Sequence, residues 1–393
     1  MWFRLSRAAG PALLLVGLLV GCDSAQIQPD HGSYATVRPS ADYDIGPSHA
    51  RGILVESLRL GERISFASSI DPDLNRTRGG GVLGDHRGLV PSMNILAAAQ
   101  SAAAGKYDIL GAFGVNAYNG QSAEKDEKSL AISILAFPSE DIARTAAAEM
   151  ARADFEQGAD NAPIIVPEYP GALAHWRPSV PTVGSWLTWK NLVIRVFAKV
   201  LEPRAELLAE VLTKTYRAQL ADLEGFTPTS ESDLPNLRAD PDRLLTRVVQ
   251  TAGAELNGDT GGSTFAVYGP RAFSLLAGRP SEFLADLRAA SVSQMAVANN
   301  QFLRRHASAE AAKSEAARLP GTFDDDYVAM AGVASLPDVA CWERKQPDKT
   351  IVVPSRFRCL VHRGMDLVIL NGYLELDIRQ RAAAQYALLA EDR

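Results

Sequence analysis

Thiols, imidazoles and glycine-rich turns are where chemistry would show first in this chain. It has three cysteines, Cys22, Cys341 and Cys359, and six histidines. His31 and His49 precede the first globular pattern, and His86, His175, His306 and His362 lack ligand spacing relative to one another. There is no Gly-x-Ser-x-Gly elbow and no His-Glu-x-x-His helix. "SAEK" (122–125) matches Ser-x-x-Lys, but it has no Ser-Asp-Asn or Lys-Thr-Gly partner and sits in a charged turn. "FDDDY" (323–327) lacks the glycine and terminal glutamate of a calcium loop, and "NGDTGGSTF" (257–265) reads as a turn before a strand. The best local candidate is "NRTRGGGVLGDHRG" (75–88). Arg76, Arg78 and Arg87 there could hold an anion, with Gly79, Gly80 and Gly81 exposing backbone N–H groups to it. A solvated loop before a helix at 90–103 accounts for the same residues. Three of the five tryptophans, Trp176, Trp186 and Trp189, fall on neighbouring predicted strands. They would form one aromatic wall able to stack a glycan, or pack as core under a following helix. No catalytic, cofactor-binding or metal residue is expected, and no cofactor.

Cys22 has a different context. Arg4 and Arg7 precede an apolar run from Pro11 to Gly21, about half the roughly 20 residues that a helix needs to cross a bilayer. A basic start, a short apolar stretch and a small residue before a cut is the order of an export signal. Leu19-Val20-Gly21-Cys22 resembles the bacterial lipobox, which implies cleavage before Cys22 and a diacylglyceryl (palmitate-type) group on its sulfur. Two acyl chains hold a protein durably where one holds marginally. The expected location is therefore outside the cytoplasmic membrane, anchored to its outer face. That leaves Cys341 and Cys359 as an even pair in an oxidising compartment. They lie in two strand-like segments separated by "QPDKTIVVPS", and antiparallel pairing would put the thiols opposite each other. Such a bridge closes a loop of about 17 residues, worth roughly 3 kcal/mol in the chain-entropy account.

Composition sets the remaining bounds. Of 393 residues, 47% are hydrophobic and 22% charged, with a formal net charge of −6. These are the values of a globular protein long enough for two or three domains. No basic block is longer than a pair such as Arg304-Arg305, so a nucleic-acid partner is not expected.

The elements follow from pattern. Residues 22–50 carry Pro29, Pro39 and Pro47 and no hydrophobic period, which predicts a flexible tether reaching about 30 Å. The segment 129–155 reads as a strand followed by a helix capped by Ser139, and 183–223 as a hairpin turning at Lys190-Asn191 followed by a long helix. The second half repeats the scheme, with strand and Ala-rich helix at 293–319, then hairpin and terminal helix at 357–392. Leu192-Val193-Ile194 echoes Leu367-Val368-Ile369. The expectation is an α+β protein of two related ferredoxin-like β-α-β-β-α domains. The boundaries are 1–21 for the signal peptide, 22–50 for the tether, 51–225 for the first domain and 226–393 for the second.

The lipobox, the "GILVESLRLGERI" opening, the "DPDLNRTRGGG" segment and the doubled halves together resemble a family of uncharacterised actinobacterial cell-envelope lipoproteins. The resemblance implies an envelope location and supplies no catalytic residues. The expected role is a non-catalytic binding or interaction module with a lipid, a glycan or another envelope protein as partner. The alternative is an envelope hydrolase whose site no sequence motif reveals.

Overall fold

Ser48, Ser139 and Ser308 each stand where a helix begins, and each hydroxyl accepts a backbone N–H from the first turn, from Arg51, Ile142 and Ala311 respectively. Between the helices thus started lie strands, and the segments Ser129–Ala136 and Asp366–Gly372 are buried along their whole length, as strands covered on both faces are. The structure, a computed structural model, describes residues 28–85, 88–89, 95–121, 123–251, 264–323, 327–345 and 355–390. The expected signal peptide (1–21) and Cys22 lie outside the described residues.

The first half contains helices α1 (His49–Gly61) and α2 (Ala67–Ile70), strand β1 (Arg76–Val82) and the short pair β2 (Gly84–Asp85) and β3 (Gly88–Leu89). It continues with α3 (Ala98–Ala104), β4 (Gly111–Tyr118), β5 (Ser129–Ala136) and α4 (Glu140–Phe155). It ends with β6 (Ala162–Pro163), β7 (Leu173–Trp176), β8 (Thr182–Trp189), β9 (Leu192–Lys199) and α5 (Ala205–Asp222). The second half runs β10 (Phe265–Tyr268), α6 (Pro270–Ser274), α7 (Pro280–Ala289), β11 (Val292–Ala298) and β12 (Gln301–His306). Then come α8 (Ala309–Arg318), β13 (Tyr327–Met330), β14 (Val339–Arg344), β15 (Phe357–Arg363), β16 (Asp366–Gly372) and α9 (Glu375–Ala390).

Each half builds a seven-stranded sheet, in the orders β1-β4-β5-β9-β8-β7-β6 and β10-β11-β12-β16-β15-β14-β13. Both orders are the same when only the strands of each seven-stranded sheet are counted, and every pairing in them is antiparallel. The expected β-α-β-β-α connection exists as β5-α4-β8-β9-α5, with β9 between β5 and β8. The ferredoxin-like description is nonetheless corrected. The place beside β5 is taken by β4, which precedes it in a hairpin, and β7 and β6 extend the far edge.

The Leu-Val-Ile echo also needs correction. The hairpins β8–β9 and β15–β16 close with Trp189 opposite Leu192 and Arg363 opposite Asp366. Aligning these turns makes Leu192 equivalent to Asp366, one residue off the letter match. A one-residue shift in a strand exchanges the faces. Ile194 accordingly packs in the core under α5, whereas Ile369 packs in the cluster with Leu319 beside α8.

The first sheet is covered on both faces. Ile132, Ile134, Ile194 and Val196 meet Leu208, Leu212 and Tyr216 of α5 and Leu58 of α1, while Leu135, Val193 and Trp186 meet Ala143, Ala146 and Met150 of α4 and Ala103 of α3. Core membership changes between Leu237, against the first core, and Leu244, in the second. Ala272, Leu275, Leu284 and Leu287 of the α6–α7 segment then return to the first core. The halves therefore share buried surface.

Residues 28–48 have no regular structure, but they are not free of the body. Tyr34 Oη donates to Asp377, Arg38 Nε to the Leu388 carbonyl at 2.9 Å and Gln380 Nε2 to Asp30 at 2.8 Å, which ties this segment along α9. Arg51 is buried and donates to the carbonyls of Gly46, Pro235 and Leu237, fastening the start of α1 to the connection between the halves. A segment without hydrophobic period can still be held by a few side chains that find partners distant in sequence, which composition does not register. Among the described residues no helix is long and apolar enough to cross a membrane.

Candidate functional site

Strand β9 reads Leu-Val-Ile-Arg-Val-Phe-Ala-Lys, and its alternation sends Val193, Arg195, Phe197 and Lys199 to the face opposite α5. Helix α4 covers the start of that face. Beyond it, β4, β5, β8 and β9 run on together as far as the pairs Tyr118–Ser129, Ser129–Lys199 and Thr182–Lys199. This uncovered platform, walled by Ile95, Leu96 and Ala97 ahead of α3, by Val180 and Pro181, and by the 123–127 segment, encloses a cavity of about 910 Å³. Volumes of this order are those of small-molecule sites.

Arg195 is the deepest cation, 5% exposed. Its Nη1 donates to the Ile95 carbonyl, its guanidinium lies 5.5 Å from the Phe197 ring centroid, and its Nε has no partner. Burial pulls its pKa down to about 10, so it stays charged at neutral pH. Asp154, at the end of α4, accepts from Gln100 Nε2 at 2.6 Å and lies 3.1 Å from His175 Nε2. Burial pushes the Asp154 carboxyl up, but hydrogen bonds from His175 and Gln100 outweigh it and hold the group below the usual carboxylate range. His175 stacks on Trp186 with centroids 5.5 Å apart, and Phe155 meets it edge-on. At the rim, Arg78 pairs with Glu127 at 2.7 Å and sits 4.4 Å from the Tyr118 ring centroid. The Arg78 hydrogen bond lowers the Glu127 pKa. Lys125 and Lys199 also line the cavity, and among the described residues neither forms an ion pair.

The residues singled out from sequence are dispersed. The Gly-rich stretch is no loop: Arg76–Val82 is the edge strand β1, bulged between Thr77 and Gly79. Gly80 serves backbone approach, since a Cβ there would lie 2.9 Å from the Gly114 carbonyl and 3.3 Å from that of Leu275, while Gly79 and Gly81 take φ values of 135° and 145° that favour glycine. Thr77 N donates to the Gly278 carbonyl, so the strand edge is occupied by the second half. Of the anion candidates only Arg78 lines the cavity. Arg76 is exposed, and Arg87 lies outside the described residues. The single aromatic wall is also overturned by strand alternation. Trp186 is fully buried under α4, whereas Trp176 and Trp189 pack on the opposite face. Cys341 and Cys359 face each other across β14 and β15 and form a disulfide, as the strand reading expected. Among the described residues no group of His, Cys, Asp or Glu is placed to hold a metal ion, and no hydroxyl or thiol hydrogen-bonds to His175. Sequence reading missed Arg195, Phe197 and Lys199. The available signal was a charged residue inside the otherwise apolar run of β9.

Fold and site together define a duplicated α+β protein with a ligand-sized cavity in one half. Family models for the N-terminal and C-terminal parts of DUF7373, a domain of unknown function, match residues 43–239 and 244–392. The chain belongs to that family, and its two parts meet where core membership changes. No curated protein matches the chain. A solved structure, the extracellular domain of PknH from Mycobacterium tuberculosis, matches at 10% identity with a TM-score of 0.30, over 44% of this chain and 98% of that one. A likeness of that size carries no argument about fold or role.

Proposed function

We propose that this protein is a lipid-anchored, extracytoplasmic binding module that holds a small molecule in the cavity of its first half. In this reading residues 1–21 are removed, Cys22 carries the acyl chains and the body acts outside the cytoplasmic membrane. The lipobox resemblance supports the address, and the Cys341–Cys359 disulfide fits an oxidising compartment. The observation that carries the binding role is the 910 Å³ cavity with Arg195 buried in its lining and Nε unpartnered. A buried donor without an acceptor is costly, and a bound ligand supplies one.

Two measurements test this. Cys22→Ala should move the protein out of the detergent phase on phase separation; retention there sinks the anchor. Native mass spectrometry of protein extracted from its own membranes should find a retained small molecule that Phe197→Glu loses. A molecule held equally by the variant would place binding elsewhere and overturn the reading.

A further inference from the structure

We infer that the ligand is an amphiphile with one anionic head group, a carboxylate or a phosphate ester on an apolar body; this rests on the binding role proposed above. The argument begins with which charges in the cavity are already used. Glu127 is taken by Arg78 at 2.7 Å, and Asp154 is taken by His175 and Gln100. Lys199, Lys125 and Arg195 then remain without a carboxylate within ion-pair distance among the described residues. Three cations around a partly desolvated space favour an anion, and the favour strengthens as water leaves.

The geometry adds an apolar requirement. Arg195, Phe197 and Lys199 are alternate residues on one face of β9, so successive side chains stand roughly 7 Å apart. Arg195 is buried, while Phe197 and Lys199 are half-buried. A ligand touching both cations must cross the Phe197 ring. Ile95, Leu96 and Pro181 wall the same space. A bare inorganic anion would leave these walls facing water, and a neutral lipid would leave the cations unanswered. A neutral glycan is the weaker fit, because Trp186 is buried under α4 and the other two tryptophans of its cluster lie on the opposite face.

The second half has no counterpart to this arrangement. By the alignment of hairpin turns Arg195 is equivalent to Ile369, and its cross-strand neighbour Ser133 to Phe302. The hairpin β11–β12 also closes early, at Ala298 opposite Gln301, so the platform that carries Asn116, Ser129 and Lys199 in the first half is missing. The cavity and its charge are specific to one copy of a duplicated frame.

The test uses the full chain in nanodiscs of neutral lipid, with empty nanodiscs as blank. Octanoate, octyl phosphate, octanol, acetate and inorganic phosphate are titrated in turn by calorimetry. The two anionic amphiphiles should bind, with octanol and the two short anions weaker by about tenfold or more. The preference between octanoate and octyl phosphate assigns the head group. Lys199→Glu, at a half-buried rim position, should weaken both amphiphiles by about tenfold without moving the thermal unfolding midpoint. Arg195→Met should do the same if the variant folds, and Lys199→Glu decides the matter if it does not. Octanol binding as well as octanoate, or an unaffected Lys199→Glu variant, overturns the anionic head. Acetate binding as well as octanoate overturns the apolar body. A neutral molecule found retained in the native protein, with no amphiphile binding, overturns this inference and leaves the binding role standing; an extract with nothing retained and no probe bound removes both.

Discussion

The two halves place different chemistry at equivalent positions. In the first, Leu135 of β5 and Phe137 just after it meet Ala146 of α4 in an apolar cluster. In the second, the equivalent positions of β12 and α8 hold Arg304, His306 and Glu315. The equivalence follows from register: Leu135 pairs with Val193 and Arg304 with Leu367, each the second residue of its strand, and Ala146 and Glu315 both lie seven residues after a capping serine. All three residues of the second set are buried. Glu315 accepts from Arg304 and lies 2.6 Å from His306 Nε2, whose other ring nitrogen faces the Met365 carbonyl. Burial pushes the Glu315 carboxyl up, yet its bonds to His306 and Arg304 hold it below the usual range. The disulfide has a counterpart too. Cys341 opposite Cys359 occupies the register positions of Ala174 opposite Ser185. One backbone frame thus accepts either an apolar trio or an ionic one, provided the set is complete.

The comparison breaks most sharply if the ionic set is made incomplete. Glu315→Ala removes the partner of buried Arg304 and His306 and should cost about 3–5 kcal/mol in chemical denaturation. Copying the first half in full, with Arg304→Leu, His306→Phe and Glu315→Ala together, should be close to neutral or stabilising by about 1–4 kcal/mol. A triple variant as unstable as the single one would show that the two frames are not interchangeable.

Copying the first half at the disulfide is the next largest change. Cys341→Ala with Cys359→Ser should cost roughly 3 kcal/mol, and reductant should lower the unfolding midpoint of the native protein but not of the variant. An unmoved native midpoint in reductant would remove the bridge from the account of stability.

The smallest effect lies at the joint between the halves. Asp240 accepts the N–H groups of Leu244 and Leu245, yet burial, with Asp44 and Asp242 nearby, pushes its pKa up to about 6. An acid whose folded pKa exceeds its unfolded value binds more protons when folded. Stability should therefore fall as pH rises from about 4 to about 6, by at most about 1.4 kcal/mol per pH unit from this group. Asp240→Asn should flatten that slope, and an unchanged slope would locate the titration elsewhere.

Much of the frame was legible along the chain. Ser139 marks α4, the Lys190-Asn191 turn joins β8 to β9, and the last helix begins at Glu375, after the predicted hairpin. Elsewhere local pattern misled. "NRTRGGG" has the composition of a loop, but glycine is required in β1 because the backbones of Gly114 and Leu275 approach it so closely. The strand–helix reading of 293–319 missed that β11 and β12 form a hairpin with its turn at 299–300. Arg195 passed unnoticed because a single charge in an apolar strand says nothing about what stands opposite it.

The sequence by itself determined the α+β class, the Ser139 cap of α4, the cysteine pairing and the existence of a repeat. Each of these rests on residues close together in the chain, or on a pattern of period two or 3.6 that a short window contains. Tertiary structure alone decided which faces the tryptophans take, that residues 30–38 are tied to α9, and that the platform around Arg195, Phe197 and Lys199 exists in one half and not at the equivalent place in the other. Those outcomes depend on register and on contacts between residues a hundred or more positions apart, such as Arg195 with the Ile95 carbonyl. A one-residue shift reverses every face without altering a single local signal.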